Sequence, residues 1–157
     1  MTEAREPTAT KKRVLPPTYL LASIVAMVAL RFLLPGWRIV TLPWSLLGLV
    51  PAGLGLALSI VADQAFKKHR TTVKPFEEST ALVTSGAYAI SRHPMYLGFA
   101  LLLLGLAICL GALTPFLVVP LFAILMEFVF IGVEEQMMDA TFGPPWRDYK
   151  NKVRRWL

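Results

Sequence analysis

An almost unbroken apolar run covers residues 94–133 and reads PMYLGFALLLLGLAICLGALTPFLVVPLFAILMEFVFIGV, with a single charged residue. Gly111 and Pro115 mark a turn in its middle, so it divides into two stretches of about 20 residues, the length that a helix needs to cross a bilayer. Because a backbone at that depth must satisfy its own hydrogen bonds, we predict membrane helices over 94–113 and 115–133. They should form a tight antiparallel hairpin.

Two further apolar stretches, residues 17–34 and 42–62, have similar lengths. Together the four stretches predict an all-α integral membrane protein with four transmembrane helices. Small residues recur in the second stretch, at Gly48, Ala52, Gly53, Gly55 and Ser59. This spacing is more typical of close packing between membrane helices than of a dinucleotide-binding loop.

The composition agrees with a membrane protein. Hydrophobic residues make up 55% of the 157 residues, charged residues make up 17%, and the mean hydropathy is +0.58. A soluble enzyme, a disordered chain and a disulfide scaffold are therefore disfavoured. The single cysteine, Cys109, excludes an internal disulfide, and the two histidines form no recognisable ligand set, so we expect no metal site.

The positive charges predict the orientation in the membrane. Fourteen of the 16 Lys and Arg residues lie before the first span, between the second and third, or after the fourth; Arg31 and Arg38 are the exceptions. Since positive charge favours the cytoplasmic side, both termini and the loop 63–93 should be cytoplasmic, as in a bacterial inner membrane. The basic residues flank spans rather than line one face, so we expect no nucleic-acid partner.

This distribution divides the chain into two parts. We predict a disordered basic arm over residues 1–16 and a membrane domain over 17–157. The domain ends in an amphiphilic tail, 134–157, that should lie at the cytoplasmic interface with the bilayer. The 31-residue loop 63–93 is too long for a plain connector, which favours a functional role.

Polar residues near the ends of the last two spans are candidate site residues. Arg92 and His93 precede Pro94 at the start of the third span, where free backbone N–H groups favour an anion. Glu134 and Glu135 follow the fourth span. The pattern leaves open whether the two acids form a solvated helix end, and whether His93 is merely a solvated interfacial residue.

Glu127 lies inside the fourth span, seven residues before Glu134, so a regular helix should place both carboxylates on the same side. It is the one buried candidate for a general base, although its position slightly favours a structural hydrogen bond to another helix. Arg147, Arg154 and Arg155 in the tail are more typical of lipid-phosphate contacts than of a site for an anionic acceptor.

Four segments carry a resemblance to a known family. They are LVTSGAY at 82–88, RHPMYLG at 92–98, the Glu pair at 134–135, and Phe142-Gly143 with Tyr149. In this order, around a membrane hairpin, they resemble the isoprenylcysteine carboxyl methyltransferases over residues 63–157. The segments are also similar, more weakly, to the phosphatidylethanolamine N-methyltransferases.

The resemblance implies an integral membrane methyltransferase that uses S-adenosylmethionine. Carried over position by position, it implies a cytoplasmic cofactor pocket formed by Ala81, Leu82, Val83, Tyr88, His93, Pro94, Met95, Tyr96 and Glu134. The implied acceptor is a lipophilic or small molecule. A phospholipid N-methyltransferase is the alternative, and a non-catalytic protein that retains the pocket is a third. Phe130 stands where eukaryotic members have a substrate-binding arginine, so the acceptor itself is not carried over.

Overall fold

The computed structural model describes residues 15–68 and 81–157, and this part of the chain is helical, with no sheet. Most of the predicted basic arm and residues 69–80 of the predicted loop lie outside the described residues. The helices are α1 (Pro16–Leu33), α2 (Leu49–Lys68, after a 3₁₀ turn at Trp44–Gly48), α3 (Pro94–Leu110), α4 (Leu113–Met126), α5 (Gly132–Phe142) and α6 (Pro144–Lys152). A π turn at Glu127–Ile131 joins α4 to α5 without a break.

Three of these helical segments are long and apolar enough to cross a membrane: 16–33, 44–65 and 113–142. Helix α3 is equally apolar but has 17 residues, a length of about 26 Å. Helix α3 is therefore slightly shorter than the roughly 30 Å thickness of the hydrocarbon layer.

The predicted hairpin is present, but its turn comes earlier than expected. Helix α3 ends at Leu110 rather than at residue 113, and α4 begins at Leu113. Gly111 causes the difference, because it adopts a left-handed conformation with φ of 67° and its N–H closes the last turn on the carbonyl of Ala107. A residue with a Cβ rarely adopts that conformation, so the glycine ends the helix there.

Two other span ends differ from the prediction: α2 continues to Lys68 rather than ending at residue 62, and the fourth span also ends later. The sequence predicts an interfacial tail from residue 134, whereas the helix continues to Phe142. Gly143, with φ of 57°, then ends this helix, and the short amphipathic helix α6 follows it. Both predicted acids therefore lie on a continuous helix, which fixes their direction relative to the membrane segment.

Helices α2 and α3 pack at very close range. A Cβ at Gly98 would lie 2.6 Å from the carbonyl oxygen of Gly55, and a Cβ at Gly55 would lie 2.6 Å from the backbone nitrogen of Leu102. Gly48 meets Cys109 in the same way, at 2.8 Å. The interpretation of the small residues as a packing surface is confirmed at these positions. It is wrong at Gly53, which has nothing within 4 Å of its Cβ position.

The core lies between α1, α3 and the α4–α5 helix. Met27, Leu103, Phe122, Met126 and Phe130 are almost completely buried there. In contrast, large apolar side chains such as Leu54, Leu121 and Phe128 are exposed on the outer faces. A soluble protein rarely exposes such continuous apolar surface, so these faces are suited to lipid.

Candidate active site

The start of α3 places two predicted site residues next to each other. His93 is the last residue before the helix, and Pro94 occupies the first helical position. The backbone N–H of His93 donates to the hydroxyl oxygen of Ser91 at 3.2 Å. The imidazole stacks on the ring of Tyr96, with centroids 5.8 Å apart, and is 91% buried. His93 and Tyr96 therefore lie side by side at the start of α3.

The two acids of α5 meet these groups. The Tyr96 hydroxyl donates to Oε1 of Glu134 at 2.5 Å. Nδ1 of His93 lies 3.5 Å from Oε2 of Glu134, and Nε2 lies 3.4 Å from Oε1 of Glu135. One imidazole thus bridges the two carboxylates, although 42 positions separate His93 from Glu135.

The π turn decides which acid faces which partner. The N–H of Gly132 donates to the carbonyl oxygen of Glu127, five residues earlier, so the turn takes up one residue more than an α turn. Glu135, not Glu134, then returns to the side of Glu127 after two turns. The expectation that Glu127 and Glu134 share one side is wrong for this reason, and Glu134 is free to face α3.

Arginines surround Glu135, which is 5% exposed. Arg155 binds it with two nitrogens, Nε to Oε1 at 3.0 Å and Nη2 to Oε2 at 2.6 Å. Nη2 of Arg92 lies 3.1 Å from Oε1. The remaining nitrogen of the Arg155 guanidinium, Nη1, binds Glu127. A buried carboxylate needs this compensation, because an unpaired charge in such a place is strongly destabilising.

The surroundings of His93 shift its protonation equilibrium. Burial lowers the pKa of the imidazole, but hydrogen bonds and charge from Glu134 and Glu135 outweigh it, so the pKa is raised above its ordinary value. The stability that this gives is fully present below the unfolded-state pKa of about 6.5 and is lost as the pH rises through the folded-state pKa.

We therefore expect His93→Gln to be most destabilising near pH 6 and progressively less so toward pH 9. Glutamine keeps a hydrogen-bonding side chain but cannot carry the charge that the two carboxylates favour. The measurement is the melting temperature of the detergent-solubilised wild type and variant across this range. A difference in melting temperature that stays constant with pH would contradict the assignment.

The remaining predicted pocket residues fall into a second group beside the first. Val83 and Tyr88 are buried against Ala62, with Met95 packed on them. Burial, and then the charge of Glu134, raise the pKa of the Tyr88 phenol, so Tyr88 lies within electrostatic reach of that acid. Of the other three predicted residues, Pro94 is buried, while Ala81 and Leu82 are half-buried at the start of the described segment.

Two features fit S-adenosylmethionine, which carries a carboxylate, an ammonium, a sulfonium and ribose hydroxyls. Among the described residues, Glu134 has no ion pair with lysine or arginine, which leaves its carboxylate for a cation or hydroxyls. Nε of Arg92 is buried and has no hydrogen-bond partner within the described segments, so it offers a donor for a carboxylate. Both groups adjoin His93.

A separate cleft of about 640 Å³ opens between α5 and α6. Gln136, Lys150 and Arg155 line it together with Glu135. None of the nine predicted cofactor residues lines this cleft. We place the candidate site at Tyr96 and Glu134 rather than here, because the predicted residues that contact one another lie there.

Sequence reasoning favoured lipid-phosphate contacts for Arg155 and assigned no role to Trp156. The indole N–H of Trp156 donates to Oε2 of Glu127 at 3.1 Å, so both oxygens of that acid have partners from the tail. An acid inside an apolar helix does signal that a partner must exist. The tail contains three arginines, and the sequence alone does not show which of them binds Glu127.

Comparison with known proteins gives the family. Residues 44–145, well over half of the chain, match the family described as phospholipid methyltransferase. The chain belongs to this family. It therefore belongs to a family of membrane methyltransferases, and the resemblance on which the sequence analysis relied is confirmed.

Two of the individual relatives are methyltransferases. Protein-S-isoprenylcysteine O-methyltransferases from Saccharomyces cerevisiae and Schizosaccharomyces pombe are 38% identical over 79 residues and 37% identical over 75. These matches cover 49% and 46% of this chain, but only 32% and 30% of the yeast proteins. An uncharacterized protein from Haemophilus influenzae is 40% identical over 63 residues, which cover 40% of this chain and all of that protein.

The fold is shared with a solved structure. The eukaryotic intramembrane Ras methyltransferase, isoprenylcysteine carboxyl methyltransferase, superposes with a TM-score of 0.66 at 23% identity. The match covers 90% of this chain and 51% of that one. With three helical segments that are long and apolar enough to cross a membrane, the protein is a multi-pass integral membrane protein.

Proposed function

We propose that the protein is an S-adenosylmethionine-dependent methyltransferase that acts on a lipophilic or small acceptor at the cytoplasmic face of the membrane. One observation carries the proposal: the entrance of α3 and the acids of α5 meet through Tyr96, His93 and Glu134. Membership of the phospholipid methyltransferase family supports the type of reaction.

The residues at this junction have the chemistry that the cofactor needs. Glu134 is suited to the ribose hydroxyls or the ammonium group, and Nε of Arg92, unpartnered within residues 15–68 and 81–157, is suited to the carboxylate. Val83 and Met95 offer apolar surface for the adenine ring. S-adenosylmethionine supplies an electrophilic methyl group on its sulfonium. The residues of the chain then act by holding the reactants in line and by excluding water.

The contacts of Glu127 support an acceptor that needs no general base. Arg155 and Trp156 already engage both oxygens of this carboxylate, so it is poorly placed to take a proton. A carboxylate or thiolate acceptor arrives ionised and requires no such transfer. Tyr19 and Tyr96 pack on the ring of Phe130, so the surroundings of Tyr96 are apolar, which suits an apolar acceptor.

Contacts between segments support the proposed topology. The backbone N–H of Arg92 donates to the carbonyl oxygen of Arg154 at 3.0 Å, so the loop before α3 and the end of the tail lie on one side of the membrane. Both segments are rich in Lys and Arg. The positive-inside tendency then makes that side cytoplasmic.

A transfer assay tests the function and separates the acceptor classes. Purified protein in detergent–lipid micelles is incubated with S-adenosylmethionine labelled in the methyl group, and with an S-prenylated cysteine that has a free carboxylate, with phosphatidylethanolamine, or without acceptor. We expect label in the prenylated cysteine and much less in the amine lipid. Predominant labelling of the amine lipid would favour the second candidate function, phospholipid N-methylation, which the family match also supports.

A further inference from the structure

The end of the chain returns to the entrance of α3. After α6, the backbone of residues 153–157 is no longer helical. The Arg92 N–H donates to the carbonyl oxygen of Arg154 at 3.0 Å, and the Ser91 hydroxyl donates to that of Arg155 at 3.1 Å. The Ser91 oxygen also accepts the N–H of His93. Two hydrogen bonds thus attach the tail to the residues directly before the imidazole.

The docked tail places one guanidinium between two acids. Arg155 binds Glu135 through Nε and Nη2 and Glu127 through Nη1. Glu135 in turn contacts Nε2 of His93 at 3.4 Å. A chain of contacts therefore runs from Arg155 through Glu135 to His93, and from there to Glu134.

We infer that Arg155 is a positioning residue for the proposed site. It holds Glu135 so that the imidazole of His93 keeps Nδ1 directed at Glu134. This inference rests on the proposed function. Without Arg155, Glu135 would retain Arg92 and His93 as its close partners, with the Lys150 ammonium farther away at 3.8 Å, and would compete with Glu134 for the imidazole. The planar guanidinium can bind two oxygens of one acid and still reach a second, whereas an ammonium group acts as a point charge.

The neighbouring arginine provides a matched control. The side chain of Arg154 is exposed, while that of Arg155 is in the network. We expect Arg155→Gln to weaken the binding of S-adenosylhomocysteine about tenfold, the usual effect of removing one partner of a buried charged hydrogen bond. The affinity of Arg155→Lys should fall between those of Arg155→Gln and wild type, and the affinity of Arg154→Gln should stay within about twofold of wild type. Calorimetric titration of detergent-solubilised protein measures all four.

A spectroscopic readout separates positioning from simple stabilisation. The chain has two histidines, so in a His69→Gln background the ¹⁵N-imidazole signals belong to His93 alone. Within the described segments its neighbours are Glu134 and Glu135 from α5, Tyr96 from α3 and Arg92 beside it.

Arg155→Gln should move the midpoint of the imidazole titration upward, because a cation that competes for Glu135 is lost. Arg154→Gln should leave the midpoint unchanged. An unchanged midpoint in Arg155→Gln and Arg155→Lys, with wild-type affinity, would overturn the inference. Failure of the wild type itself to bind S-adenosylhomocysteine would overturn the proposed function instead, while the titration would still decide whether Arg155 controls His93.

Discussion

Glu134→Gln is expected to lower kcat/KM for methyl transfer by about 100-fold. The substitution keeps the size of the side chain but removes the charge that Tyr96 and His93 contact at 2.5 and 3.5 Å. A hydrogen bond to a charged group contributes about 1.5–3 kcal/mol, and loss of about 2.7 kcal/mol corresponds to that factor. The measurement is the initial rate of label transfer from S-adenosylmethionine at several cofactor concentrations.

Two further variants show whether the lower rate is specific to the contact between Tyr96 and Glu134. Tyr96→Phe removes the hydroxyl but leaves the carboxylate, so it should cost about tenfold. Asp148→Asn removes an exposed acid on α6 and should have no effect on the rate. A Glu134→Gln enzyme as active as the Asp148→Asn control would show that Glu134 has no part in the reaction.

The second large effect concerns the packing that holds α3 in place. Gly105→Ala should destabilise the protein by about 3 kcal/mol, since the added methyl group would lie 2.6 Å from the Cβ of Ala52 and closer still to the backbone nitrogen of Ala52 and the carbonyl oxygen of Gly48. Backbone cannot move aside as a flexible side chain can, so the two helices must separate. Because α3 carries His93 and Tyr96, we also expect weaker cofactor binding.

Gly53→Ala is the matched control on α2. Its Cβ position is open, and alanine favours a helix over glycine, so the variant should be unchanged or more stable by less than about 1 kcal/mol. Reversible unfolding in detergent, followed by circular dichroism, measures both variants. Equal stability of the two would contradict the close approach of α2 and α3.

The membrane helices were predictable because apolar length is a local property of the sequence. The same holds for the small residues of the second span, where Gly48 and Gly55 are in contact with α3 as expected. The positions of helix ends were less predictable, because they depend on backbone conformation. The left-handed conformation of Gly111 ends α3 at Leu110, three residues before the predicted end.

The pairing of the acids was not predictable from spacing. Seven residues place Glu127 and Glu134 on one side of a regular helix, but a π turn between them moves Glu135 to that position. Nothing in the apolar sequence of the turn distinguishes a wide turn from a regular one. The choice of Arg155 over Arg147 and Arg154 likewise depends on how the tail folds back, which is a long-range contact.

The most direct test of the account locates the cofactor on the chain. Wild-type protein in detergent is irradiated with ultraviolet light in the presence of radiolabelled S-adenosylmethionine, with and without excess S-adenosylhomocysteine, and the labelled peptides are identified. We predict label that S-adenosylhomocysteine displaces in peptides that contain Tyr88, residues 93–96 or Glu134. Label confined to the α6 side of the other cleft, at Arg147 and Lys150, or no label that S-adenosylhomocysteine displaces, would contradict the proposed site.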